Sequence, residues 1–203
     1  MNSSQALLAR ADLVRFLAAC FYQPGPEFSE EGVFESMQAC AALLDPELES
    51  ACSALGQAFA GAPNEDLLVD YTRLFLGPIQ APALPYASVW LTSDKQLYAE
   101  ETNAVIAAYE AAGFEIDEGF RDLPDHIAAE LEFLYLLLHR EYARSADAAA
   151  PAPDPEAQAW MTAHLARWTP AFFDAIATHA NTDFYRRLAE AARLILARAL
   201  PAA

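Results

Sequence analysis

The most apolar helix of the chain is written in residues 122–144, DLPDHIAAELEFLYLLLHREYAR. Asp122-Leu123-Pro124-Asp125 opens it, and the helical pattern runs to about Arg144. Ile127, Leu131, Leu134 and Leu138 recur at helical spacing and form one stripe, while Phe133, Leu136 and Leu137 cover other faces. A helix apolar nearly all round belongs in the middle of a bundle, with other helices laid around it.

The segments on either side are helical as well. Leu7, Ala11, Val14, Ala18 and Phe21 share one face of a first helix that ends at Gln23-Pro24-Gly25. A second helix is predicted over 27–44, and Asp45-Pro46-Glu47 starts a third with an N-cap, a proline at N1 and an acid in the first turn. Asn64 caps a fourth, which carries Leu67, Leu68, Tyr71, Leu74 and Phe75 and stops at Gly77-Pro78. Ser93-Asp94-Lys95-Gln96 has the form of a capping box and predicts a helix closing at Gly113. Beyond Arg144, residues 145–153 are Ala- and Pro-rich, the composition of a flexible connection. Asp154-Pro155-Glu156 repeats the start seen at Asp45. Thr169-Pro170 restarts a helix after Trp168, and Thr182-Asp183 caps the last one, which ends before Pro201.

No β-hairpin, alternating strand or internal repeat breaks this pattern, so the expected fold is all-α, a single globular bundle of about eight or more helices. The expected organisation is a main bundle over 1–145 carrying an aromatic loop at 77–93, a flexible connection at 146–154, and helices over 155–203 that complete the same domain. Residues 77–93, GPIQAPALPYASVWLTS, are stiffened by Pro78, Pro82 and Pro85 and carry Tyr86 and Trp90 with no helical period. Bundle connections are usually about 2–8 residues, and longer ordered ones tend to be functional. Such a loop can also wrap the bundle and bury its aromatics, and the two readings are compatible.

Composition narrows the function. The 203 residues suffice for a substantial core, and 55% hydrophobic with 20% charged residues excludes a disordered acidic linker. The net charge of −17 argues against a nucleic-acid binder. Cys20, Cys40 and Cys52 have no CxxC spacing, which reads as buried, reduced thiols rather than a disulfide framework or zinc ribbon. The longest strongly apolar run, Phe133 to Leu138, is far below the roughly twenty residues of a membrane span. Arg10, Asp12 and Arg15 interrupt any export signal, so the protein is expected to stay where it is made.

Catalytic motifs are missing: there is no GxGxxG, GxxxxGK[ST], HExxH or GxSxG. His126 and Glu130 stand at i, i+4, a metal-chelating spacing, but without a second such pair a salt-bridged or capping pair is the plainer reading. Glu130 and Glu132, at i, i+2, diverge on the helix. Pro124-Asp125-His126 falls in the predicted first turn of the apolar helix, where free backbone N–H groups and the dipole favour Asp125 and can orient a ligand acceptor. A helix cap beside a surface histidine is the alternative.

Three motifs together carry a resemblance. Asp70-Tyr71-x-x-Leu74-Phe75-x-Gly77-Pro78, Pro85-Tyr86-x-Ser88-Val89-Trp90 and Pro124-Asp125-His126-Ile127-x-x-Glu130-Leu131-Glu132-Phe133 resemble, in order and spacing, the TorD/DmsD family of molybdoenzyme maturation chaperones. The resemblance implies a TorD-like fold and a cytoplasmic, non-enzymatic chaperone. It would bind the twin-arginine signal peptide, and the body, of a molybdopterin oxidoreductase precursor and delay export until the cofactor is inserted. It also implies the signal-peptide-binding residues: Tyr71 and Phe75; Pro85, Tyr86, Ser88 and Trp90; and Asp122, Pro124, Asp125 and His126. Some relatives read E-P-x-D-H, whereas here the proline stands one position later. No cofactor of its own is implied beyond weak GTP binding; molybdopterin guanine dinucleotide belongs to the client. Relatives occur as monomers or domain-swapped homodimers, and the Ser145–Pro153 connection is a candidate hinge for exchanging the last helices.

The residues supply a mechanism for that reading. A cationic head followed by an apolar stretch needs an apolar groove with carboxylates at one end, and an aromatic loop beside Asp122 and Asp125 offers both. The acidic balance would speed encounter with a basic peptide, although such balance is also commonly a solubility device. A nucleotide-binding protein, a small-molecule enzyme on an all-α scaffold and a ligand-sensing regulator are the competing readings. The first finds no phosphate-cradling glycine loop, the second no polar cluster inside the apolar stripes, and the third no basic helix-turn-helix.

Overall fold

A computed structural model describes residues 3–77, 81–117 and 119–198, apart from the side chains of Glu27 and Ser29. Helices follow one another as α1 (Ser3–Ala19), α2 (Glu27–Glu30), α3 (Val33–Ala42), α4 (Pro46–Gly61), α5 (Asn64–Tyr71), α6 (Ala87–Leu91), α7 (Glu100–Ala111), α8 (Ile127–Ala146), α9 (Pro155–His179) and α10 (Asp183–Arg198). No strand occurs among the described residues, only an isolated antiparallel bridge between Tyr86 and His126. The fold is all-α, as the periodicity requires.

Helix α8 packs along α1, and Leu13, Val14 and Leu17 of α1 and Ile127, Leu131 and Leu134 of α8 are fully removed from water. Burying each such aliphatic side chain contributes about 1.5–3 kcal/mol. Helix α3 joins α1 to α4, and α10 lies across α4 and α9 of the same chain. Phe28, Phe34, Phe59 and Phe184 form one aromatic knot, while Phe21, Phe75, Phe172 and Phe173 form another. Leu136, by contrast, is 39% exposed, so α8 is not buried all round. No helix among the described residues is long and apolar enough to cross a membrane.

Several expected boundaries move, each for a local reason. The helix predicted over 27–44 is broken, because Gly32 adopts a left-handed φ of 61° and separates α2 from α3. Asp45 and Asp154 cap α4 and α9 as expected, accepting backbone N–H bonds at 2.8–3.2 Å. Asn64 is the first helical residue of α5 and no cap. Ser93 does not open α7, since Thr92 Oγ1 accepts from Gln96 N instead (3.1 Å) and left-handed turns at Lys95 and Tyr98 delay the helix to Glu100. Helix α9 runs through Pro170 without restarting. An interior proline costs about 3 kcal/mol, and the burial of Trp168, Phe172 and Phe173 around it offsets that cost. The segment 77–93, expected to lack helical period, contains α6. Pro78 and Pro201 lie outside the described residues.

Two polar anchors hold the loop-bearing end. Asp70, 1% exposed, accepts from Arg73 (2.6 Å), from the backbone N–H groups of Asn181 (2.9 Å) and Thr182 (2.7 Å), and from the Thr182 hydroxyl (2.9 Å). The hydroxyl expected to cap α10 is thus used to tie the α9–α10 corner to α5. Immediately after Asp70–Tyr71 the chain widens into a π-helical turn, Thr72–Leu76, and the next segment is the aromatic loop. The three thiols are free, and burial pushes that of Cys52 up to about 12. Thiols in that state are inert.

Candidate functional site

The loop before α6 and the turn before α8 are sewn together by backbone. Ile127 N–H donates to Pro85 O (2.8 Å) and Ala87 N–H to Asp125 O (3.0 Å), which pairs Tyr86 with His126. The Asp125 carboxylate lies beneath this pairing, accepts from Ser88 N–H (2.8 Å), and is fully buried. A turn closed by His126 N–H to Leu123 O (3.0 Å) leads into α8, and Tyr109 Oη donates to Pro124 O (2.9 Å) from α7. Helix α8 therefore begins at Ile127. Asp125 and His126 precede its first turn instead of occupying it, because Asp125 lies inside the Leu123–His126 turn and the strand-like pairing holds His126 extended.

His126 is the N-cap, and its Nδ1 accepts from Ala128 N–H (3.1 Å). It is 3% exposed, so the alternative of a surface histidine beside the cap is overturned, and the histidine is itself the cap. Glu130 does not pair with it. With Nδ1 accepting, the proton of the neutral ring sits on Nε2, 3.9 Å from Asp122 Oδ2. Tyr22 stacks on the ring (centroids 6.2 Å, 13°) and Tyr86 meets it edge-on (5.4 Å, 72°). Each tyrosine hydroxyl holds a carboxylate: Tyr86 donates to Asp122 Oδ1 (2.7 Å) and Tyr22 to Glu132 Oε1 (2.8 Å). Burial and these anions push both phenols well above their usual range.

Burial lowers the His126 pKa, against the opposing pull of Asp122 and Asp125. A histidine held neutral by the fold contributes stability above its unfolded pKa near 6.5 and loses it as pH falls through the lower folded value. Between about pH 7.5 and 5.5 the melting temperature should therefore fall further for the unaltered protein than for His126→Asn, a cap that does not titrate. Equal falls in calorimetry would show that protonation of this ring is not disfavoured by folding.

The remaining site residues inferred from sequence are placed unevenly. Tyr86, Trp90 and Pro124 are half-buried, and the Asp122 side chain is 40% exposed. Trp90 Nε1 donates to Leu84 O (2.8 Å), its ring meets Phe172 edge-on, and Lys95 Nζ stands 5.9 Å from it. Tyr71 is close enough to raise the Tyr86 pKa. Phe75, Ser88, Pro85 and Asp125 are buried; Phe75 packs on Phe21, Phe172 and Tyr185 in the core and has no surface to offer a ligand. Sequence reasoning missed Tyr22, Tyr109 and the segment 114–120. Tyr22 could have been noticed as an aromatic just past the end of α1, but nothing local places it over His126.

Below the site, Glu130 turns into the core while Glu132 faces the other way, as their i, i+2 spacing requires. Glu130 is fully buried and accepts from Trp168 Nε1 (3.1 Å), with Oε1 3.0 Å from His164 Nε2. Burial raises its pKa, so the carboxyl proton is retained more readily than on a surface glutamate. Among the described residues, no group of three or more His, Cys, Asp or Glu side chains could hold a metal ion.

The all-helical body and its half-exposed aromatic-carboxylate face are those of a redox-enzyme maturation chaperone, and the relatives of this chain are named chaperones and not enzymes. The chain belongs to the TorD/DmsD family of molybdoenzyme maturation chaperones, and the family described as nitrate reductase delta subunit matches residues 41–174. The Tat proofreading chaperone DmsD of Salmonella typhi is 29% identical over 91% of this chain and 85% of its own length. The chaperone protein TorD of Vibrio vulnificus is 27% identical over 87% and 86%. An Archaeoglobus fulgidus protein described as a redox enzyme maturation protein has the same fold, with a TM-score of 0.59 and 20% identity over 92% and 93% of the two chains.

Proposed function

We propose that this chaperone acts in the cytoplasm, where it binds the twin-arginine signal peptide of a molybdopterin oxidoreductase precursor and delays export until the cofactor is inserted. The observation that carries the reading is the Asp122 carboxylate, 40% exposed and aimed by Tyr86 beside a neutral His126. A guanidinium on Asp122 would form a charge-assisted, geometrically specific bond, and the half-buried Tyr86 and Trp90 rings lie on the same loop. A protein of net charge −17 also draws a basic peptide toward it, an attraction that added salt weakens. In this reading the chaperone holds no cofactor of its own, and the molybdopterin guanine dinucleotide resides in the client.

The test is titration with a synthetic twin-arginine leader peptide. Asp122→Asn keeps an acceptor for Tyr86 but removes the charge, and should weaken binding about tenfold and flatten its salt dependence. Circular dichroism and melting should be unchanged. Undiminished binding by Asp122→Asn would remove Asp122 from the site.

A further inference from the structure

Between the outer face of α8 and the segment that leaves α7 lies a groove of about 220 Å³, lined by Phe114, Ile116, Phe120, Glu132, Phe133 and Leu136. Gly113, in a left-handed conformation (φ 74°), turns the chain out of α7 so that residues 114–117 and Phe120 form one wall. Ile116 (38%) and Leu136 (39%) present apolar surface to water. An apolar patch with a polar rim marks an interaction site. The volume is below the roughly 300–1,000 Å³ of pockets that enclose drug-sized ligands. It suits the side chains of a docked segment better than a nucleotide.

The charged side chains that line the groove among the described residues are acidic: Glu115, Asp117 and Glu132. Arg140 stands at its edge, its guanidinium 4.0 Å from the ring centre of the lining Phe114 and donating to Ala112 O (3.0 Å), so that cation is already engaged. The groove is also continuous with the site above it. Tyr109 lines it and donates to Pro124 O, and Glu132 receives the hydroxyl of the Tyr22 that stacks on His126. Tyr22 donates to Oε1 of Glu132, and among the described residues no donor reaches Oε2.

We propose that this groove seats the apolar stretch of the leader peptide, with one arginine of its cationic head on Glu132 and the other on Asp122. The inference rests on the leader-binding function above. The peptide then runs along α8 from Asp122 past Glu132 to Leu136, one helical turn beyond. Two carboxylates, each held by the hydroxyl of a tyrosine that packs on His126, give a paired cationic head two seats, and the apolar wall follows directly.

The experiment is titration of the full chain with a twin-arginine leader peptide, alongside photo-crosslinking from a reactive residue in the apolar stretch of that peptide. Leu136→Asp and Ile116→Asp, at exposed positions, should each weaken binding about tenfold. Glu132→Gln should do the same and lose the preference for arginine over lysine at one of the two head positions. Val69→Asp, at a 60% exposed position on α5, should bind as the unaltered chain does. Crosslinks should fall within 114–136. If the unaltered chain binds while both groove variants bind equally well and crosslinks fall elsewhere, the seat is wrong and the function stands. If the unaltered chain binds no leader peptide, both fall.

Discussion

Glu130→Ala is expected to cost roughly 3 kcal/mol of stability and lower the melting temperature by on the order of 10 °C. The carboxylate is fully buried and is the shared partner of His164 Nε2 and Trp168 Nε1 on α9. Its removal leaves a ring nitrogen and an indole N–H in the core without partners. Such a group forfeits its full desolvation cost, whereas a bond replaced by another bond loses little. Glu130→Gln tests this directly. Its carbonyl oxygen can still accept from Trp168, and because burial favours the neutral acid, a neutral amide is a close substitute. That variant should lose only about 1 kcal/mol. An alanine variant melting within about 2 °C of the unaltered protein would show that this network does not join α8 to α9.

Asp125→Ala should cost about 2 kcal/mol and disorder the aromatic loop, although Asp125 stands only three residues from the exposed Asp122. The difference lies in burial. Asp125 is 0% exposed and holds the first N–H groups of α6 through its carboxylate and its carbonyl, whereas Asp122 faces solvent. Ser88 Oγ and Asp125 Oδ1 are also buried without partners, so this corner has no spare bond to fall back on. A purely peptide-binding role for Asp125 and His126, as the family resemblance implies, would let both be replaced with the melting temperature nearly unchanged. Their burial reverses that expectation: the replacement should reduce stability and peptide binding together, while Asp122→Asn reduces binding alone. Hydrogen exchange at Ser88 N–H would report the loop directly. Retained protection there in Asp125→Ala would overturn the structural role.

Much of the molecule was legible because its signals are local. Asp45-Pro46 and Asp154-Pro155 start helices wherever they occur, since an N-cap side chain and a proline at N1 act within one turn. The stripe Ile127, Leu131, Leu134, Leu138 specifies a buried face by spacing alone, and the three motifs were sufficient to suggest the family. Boundaries failed where a distant partner outweighs the local preference. Pro170 does not break α9, because Trp168, Phe172 and Phe173 are packed on both sides of it. Thr182 gives its hydroxyl to Asp70, more than a hundred residues away.

The site divides in the same way. Residue types and spacing determined that an aromatic loop, an acidic turn and an apolar helix would exist, and that Glu130 and Glu132 would point apart. Tertiary structure decided which carboxylate is a strut and which is a handle. Glu130 and Asp125 sit where water is excluded and are consumed by protein donors, while Asp122 and Glu132 keep an oxygen toward the surface. Burial is a property of what the other helices cover, and the chemistry of a carboxylate follows from its solvation and partners. No run of neighbouring residues contains that information.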